Sequence, residues 1–239
     1  MSLGGRFVNI FVAPAEVFDE VKTSPSRVAN WLVPLVAVTL LGMIYTMILF
    51  SQPAVVQQIR EAQDKKFQQM VAAGKLTRQQ ADQQQAMIEK YMTPGFLKVV
   101  TGLGAIVTQI AMLFLVALII WMLGTKAFNG AFDYAKSLEV VGLSTLITIP
   151  GLIISLLLAV IYGNQHMTPG PVLLVSHFDP SNKVHLLLSA FNVMSIWYIA
   201  VLAIGLARLS GVSFLKAALW GFGFWGVFTF GPILIFGGK

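Results

Sequence analysis

Residues 96–124 read FLKVVTGLGAIVTQIAMLFLVALIIWMLG, and Lys98 is the only charged side chain among them. A hydrocarbon core about 30 Å thick is crossed by about 20 apolar residues in helical form. A backbone in lipid must also satisfy its own hydrogen bonds, which a helix does within one segment. The stretch therefore reads as a membrane-spanning helix. Four more runs of the same kind occupy 31–51, 138–163, 185–208 and 215–236. Strands of a membrane barrel are about ten residues long and alternate in polarity, which these runs do not. The fold class follows: an all-α, polytopic membrane helix bundle with five transmembrane helices, one domain over 1–239.

Composition agrees. Hydrophobic residues make up 56% of the chain and charged residues 11%, against about 25% charged in an average soluble domain. The formal charge of +6 reads as topogenic Lys and Arg attracted to membrane lipids, not as a nucleic-acid footprint. With no cysteine in the chain, disulfides, iron–sulfur clusters and thiol nucleophiles are excluded. Glu16, Asp19 and Glu20 interrupt the start of the chain, so it does not read as a signal peptide, and the first span is expected to act as the insertion signal.

Ahead of that span, 1–30 reads as a cytoplasmic interfacial arm. Phe7, Ile10, Phe11, Pro14, Val17, Phe18 and Val21 recur at three- and four-residue steps, one apolar helical face. The pattern predicts a short amphipathic helix near 14–22 lying in the interface, with Phe7, Phe11 and Phe18 as membrane-interface candidates; the same face also suits a helix packed on the bundle's own rim, the stronger alternative, or a docking surface for a soluble partner. Residues 52–95 are the one extended polar tract. Pro53 suits an opening turn, Gly74 a left-handed C-cap, and Thr77 with Gln80 a capping box, so an extramembrane helical hairpin standing above the membrane is expected. If a protein partner or a second copy binds outside the membrane, this hairpin is the expected surface.

Charge sets the sidedness. Arg6, Lys22, Arg27, Lys126, Lys136, Arg208 and Lys216 fall on one side, with only Lys183 and Lys239 in the third loop and C-terminus. That arrangement places the N-terminus in the cytoplasm and the C-terminus outside. The six cations of the large loop oppose it, partly offset by Glu61, Asp64, Asp82 and Glu89.

Residues 121–151 read WMLGTKAFNGAFDYAKSLEVVGLSTLITIPG, and residues 191–218 read FNVMSIWYIAVLAIGLARLSGVSFLKAA. Together with Pro14-Ala-Glu-Val-Phe18 and Pro25 before the first span, this order resembles the bacterial branch of the Yip1 domain family, over nearly the whole chain except the large first loop. The resemblance implies a five-span bundle with a cytoplasmic N-terminus, here in a bacterial inner membrane. Eukaryotic relatives are linked to vesicle traffic, membrane shaping and binding of prenylated Rab-type GTPases. The long cytoplasmic N-terminal region of those relatives is missing here, so GTPase binding is not carried over.

Chemistry is sparse. Gly221-Phe-Gly223-Phe-Trp-Gly226 matches a dinucleotide-binding pattern by letter, but that motif works between a strand and a helix, and here it sits in an apolar run. Small residues four apart suit close helix contact instead: Ala203, Ala207 and Gly211 on one span, Ser213, Ala217 and Gly221 on the next. His166, His177, Asp179 and His185 lack metal-ligand spacing and read as loop residues. Lys126, Asn129, Asp133 and Lys136, with Glu139 nearby, cluster at the cytoplasmic edge; such residues more often cap helices and mark the water boundary, and they are also the candidates for a headgroup or partner. No catalytic residue, cofactor site or metal site is assigned. The reading is a non-enzymatic membrane-organising or partner- and lipid-binding scaffold. A small transporter, channel or lipid-translocating bundle is the alternative, motivated by Pro150-Gly151 within the third span.

Overall fold

The computed structural model describes residues 1–91 and 93–237; Lys239 and the side chain of Glu89 lie outside the described residues. The elements are helices: α1 (Leu3–Val12), α2 (Pro14–Thr23), α3 (Ala29–Leu49), α4 (Pro53–Ala72), α5 (Arg78–Tyr91), α6 (Pro94–Met122), α7 (Tyr134–Thr145), α8 (Thr148–Tyr162), α9 (Lys183–Ala190), α10 (Val193–Ser210) and α11 (Phe214–Phe236). Five helical units are long and apolar enough to cross a membrane: Ala29–Leu49, Gly95–Ala127, Tyr134–Tyr162, Val193–Ser210 and Phe214–Phe236. The chain is an all-α polytopic bundle.

The third span is α7 and α8 in series. Tight three-residue turns at Leu146 and Ile147 join them. Pro150 then falls in the first turn of α8, where its missing N–H costs nothing. The core lies where α7 meets α10: Val140, Leu143 and Ile147 face Val201 and Leu206, all at most 1% exposed. Two glycines set the spacing. A Cβ on Gly142 would come 2.3 Å from the Trp31 Cα, so α3 and α7 cross almost backbone to backbone. A Cβ on Gly205 would meet Val140 and Phe18, where α10, α7 and α2 converge. α11 packs on α10 and α9, and its outer side shows Leu219, Val227 and Phe228, as expected of a helix facing lipid.

The N-terminal arm packs on the rim of the bundle, with two helices where the pattern predicts one and with Phe18 away from the interface. It forms two helices that double back at Ala13, where φ of −139° and ψ of 55° break the run. Their inner faces meet through Ile10, Val17, Phe18 and Val21, all fully buried. The pair packs against the flank of the bundle. Phe18 lies at Gly205, Asp19 pairs with Arg208 at 3.3 Å, and the Phe11 ring stands edge-on to Trp197 at 5.8 Å. Phe18 is therefore a core side chain and not a membrane-interface one. Phe7 and Phe11 are half-buried against the same core, and the exposed apolar side chains of α1 are Val8 and Val12. An apolar face at helical spacing is also what two helices packed on protein require.

The fourth span also shifts, from the expected 185–208 to Val193–Ser210. Asn192 caps α10 by accepting from the Met194 N–H at 2.9 Å. The preceding apolar residues form the separate helix α9. Between α3 and α6, α4 and α5 make the helical hairpin. Gly74 takes φ +67°, and Thr77 and Gln80 exchange reciprocal bonds of 3.2 and 3.0 Å, the capping box that opens α5. Gln85 of α5 donates to Asp64 of α4 at 2.9 Å. The hairpin does not stand clear of the bundle. Val55 at its base is buried with Leu49, Phe50 and Ala159, and α4 shares grooves with the ends of α9 and α11.

Candidate functional site

The polar groups that the bundle brings together lie at the end nearest the N-terminus. The Gly142 crossing holds α3 close to α7, and one turn along α7 from it Glu139 meets Asn30. Asn30 Nδ2 donates to Glu139 Oε2, with Asn30 fully buried and Glu139 1% exposed. Lys136, one turn earlier, lies 3.6 Å from Glu139 Oε1. Its Nζ also donates to the carbonyl of Val21, at 2.6 Å, and to that of Ser24. Those carbonyls belong to the last turn of α2 and the residue after it, the end of a helix that a cation favours. Lys136 therefore ties α7 to α2, while Glu139 and Asn30 tie α7 to α3.

Two further ties reach the arm. Lys22 Nζ donates to the Arg208 carbonyl at 2.8 Å, beside the Asp19–Arg208 pair. Arg6, fully buried, donates from Nη2 to Glu20 Oε1 at 2.8 Å. The Arg6 guanidinium, and after it the Met1 amino group, hold the Glu20 carboxyl below its ordinary value. An open groove of about 630 Å³ runs beside these ties, between Ala15, Asp19 and Lys22 on α2 and Ile204, Arg208 and Phe214.

A buried carboxylate flanked by one amide and one lysine suits structure better than turnover. General acid–base work needs a titrating group within reach of substrate, and the protein covers this one. Among the described residues no group of three or more His, Asp or Glu is placed to hold a metal ion.

The residues singled out from the sequence sort into distinct places. Lys126 and Asn129 are exposed, and Asn129 turns the chain with φ +56°. Asp133 caps α7, accepting from the Lys136 N–H at 2.9 Å. Lys136 is 9% exposed and spends its charge on α2 and Glu139, so it is not a free cation for a headgroup. Ala203, Ala207 and Ala217 are buried between α10 and α11, and a Cβ on Gly221 would lie 3.9 Å from that of Ala203. Gly211 and Ser213 are not packing residues. Gly211 ends α10 at φ +71° with open space around it, and Ser213 caps α11. Both occupy the turn between the helices, where equal spacing no longer means a shared face.

Sequence reading missed Asn30, Arg6 and Gly205. The available signal was an arginine four residues before Ile10, on the arm's apolar face.

A family model described as Yip1 domain matches residues 8–235. The chain belongs to the Yip1 domain family. No curated protein and no solved structure matches it. The Yip1 domain family is not an enzyme family, and this Yip1-domain chain is a multi-pass membrane protein.

At the opposite end of the bundle, His166 stacks on Phe178 with ring centroids 4.8 Å apart, and the His185 ring is tilted against Phe178 at 5.9 Å. Burial pushes the His166 pKa below its usual 6.5. His185 Nδ1 accepts from the Asp179 N–H at 3.0 Å. The three rings pack a loop under α4, where Gln58 donates to the Gly163 carbonyl at 2.7 Å.

Proposed function

We propose that this Yip1-domain protein is a non-enzymatic scaffold of a bacterial inner membrane, with its N-terminus in the cytoplasm, that organises membrane or holds lipid and protein partners. One observation carries the reading. Lys136 and Glu139, the charged pair buried in the third span, are engaged in holding α2 and α3 to α7. A transport pathway uses intramembrane charge along a polar route, whereas here the charges sit at one rim above an apolar core. The grooves at the two ends of the bundle offer surfaces for lipids and partners, and the α4–α5 hairpin supplies the surface for a protein partner or a second copy.

The reading predicts binding without turnover. The protein is extracted with native lipid, crosslinked and purified, and its lipids and proteins are identified. A reproducible partner or lipid class supports it. Purification that recovers neither, with membrane composition unaltered on deletion, contradicts it.

A further inference from the structure

The helical hairpin leans over the bundle, and this geometry leaves one charged surface unexplained. α4 carries Lys65, Lys66, Gln69 and Met70 on one side, and these, with Ala73 just past its end, line an open groove of about 820 Å³ whose far wall is Leu186 of α9 and Phe236 of α11. Lys75, just past the end of α4, closes the same groove. Phe236 ends a membrane span and is 74% exposed. The groove therefore opens where that span leaves the hydrocarbon, with lysines on the side of α4 and apolar side chains toward the membrane.

Charge complementarity names the occupant. Asp179 is the carboxylate that lines the groove. Its oxygen accepts from the Ser181 hydroxyl and backbone N–H at 2.6 and 2.9 Å, and its field falls on Lys65. Lys66 and Lys75 make no ion pair among the described residues. Lysine ammonium groups held just above hydrocarbon attract anionic headgroups, and a lysine stem covers apolar surface while its head stays wet.

We propose that this groove holds the headgroup of an anionic phospholipid. Its phosphate meets Lys66 and Lys75, and its acyl chains descend past Leu186 and Phe236. The proposal rests on the lipid-binding reading above and gives it a lipid class and a place.

The full-length protein in neutral detergent is incubated with equal phosphatidylglycerol and phosphatidylcholine, and the lipid retained is measured by native mass spectrometry. Thermal unfolding is followed with each lipid and with inorganic phosphate. Wild type should retain phosphatidylglycerol in excess and be stabilised by it, and salt should weaken both effects. Lys66→Gln with Lys75→Gln should lower that preference on the order of tenfold. Arg60→Gln, on the opposite face of α4, should leave it unchanged. Equal retention of the two lipids by wild type, or undiminished preference in the double variant, overturns the site. Equal stabilisation by inorganic phosphate overturns the lipid as its occupant. A wild type that shows no phosphatidylglycerol preference while other lipids or partners still co-purify removes this groove and leaves the scaffold reading intact.

Discussion

Asn30 on α3 donates its side-chain amide to Glu139 on α7, 109 positions along the chain, where neither side chain meets solvent. With Lys136 reaching from Glu139 to the end of α2, this contact joins three helices at one rim. Removing one partner of a buried ion pair leaves an uncompensated charge and costs about 3–5 kcal/mol, whereas removing both with apolar replacements is often close to neutral. Glu139→Leu and Lys136→Met alone should each lower the unfolding temperature in detergent. The double variant should lose much less than the two added together, because the sites are coupled. Additive losses would mean that the pair does not act as a unit.

Backbone proximity makes the next expectation. Gly142→Ala puts a methyl against the Trp31 backbone at 2.3 Å, so α3 and α7 must separate. Overpacking of this kind costs about 1–3 kcal/mol. Gly223→Ala, with nothing within 4 Å, should be tolerated. Thermal unfolding of the two variants side by side makes the comparison.

Acid should loosen the arm. The Glu20 carboxyl is held below its usual 4.5 by Arg6 and then by the Met1 amino group. A carboxylate depressed in the folded state adds stability that is complete above its unfolded pKa and is lost as pH falls through the folded one. Hydrogen-exchange protection across residues 3–23, taken relative to the intrinsic amide rate at each pH, should therefore be steady at neutral pH and fall as the pH drops below about 4.5. Glu20→Gln should raise exchange at neutral pH and flatten the acid response.

A second acid response belongs to the opposite end. Burial lowers the pKa of His166 where it stacks on Phe178, so the packed loop favours the neutral ring. The released loop takes up a proton more readily. Its docking is complete above pH 6.5, the usual histidine value, and weakens as pH falls below it. Hydrogen-exchange protection over residues 163–178, taken relative to the intrinsic amide rate at each pH, should fall between about pH 7.5 and 5.5 in wild type. In His166→Phe it should not change over that range.

The spans were legible because length and hydropathy are local properties. The α4–α5 hairpin was legible because Pro53, Gly74 and the Thr77–Gln80 pair are local stereochemistry. Direction was not. The apolar steps from Phe7 to Val21 continue in phase through Ala13, so periodicity reads one interfacial face where the chain reverses and buries Phe18. Leu186, Leu187, Leu188, Ala190 and Phe191 extend the apolar run of the span, and the break at Phe191 with the cap made by Asn192 separates α9 from α10. Gly211 and Ser213 keep the spacing of packing residues, but they fall where the helices end. Lys136 looked like a boundary cation because its acceptors, the carbonyls of Val21 and Ser24, lie more than 100 residues away. Long-range partners of that kind leave no trace in local pattern.

The charge pair decides between holding the bundle together and conducting through it. Wild type and Glu139→Gln are reconstituted into vesicles, and ion, proton and labelled-lipid passage is measured against empty vesicles. The account predicts that neither passes any probe faster than empty vesicles, while Glu139→Gln unfolds at lower temperature. Passage by wild type that Glu139→Gln abolishes would contradict it.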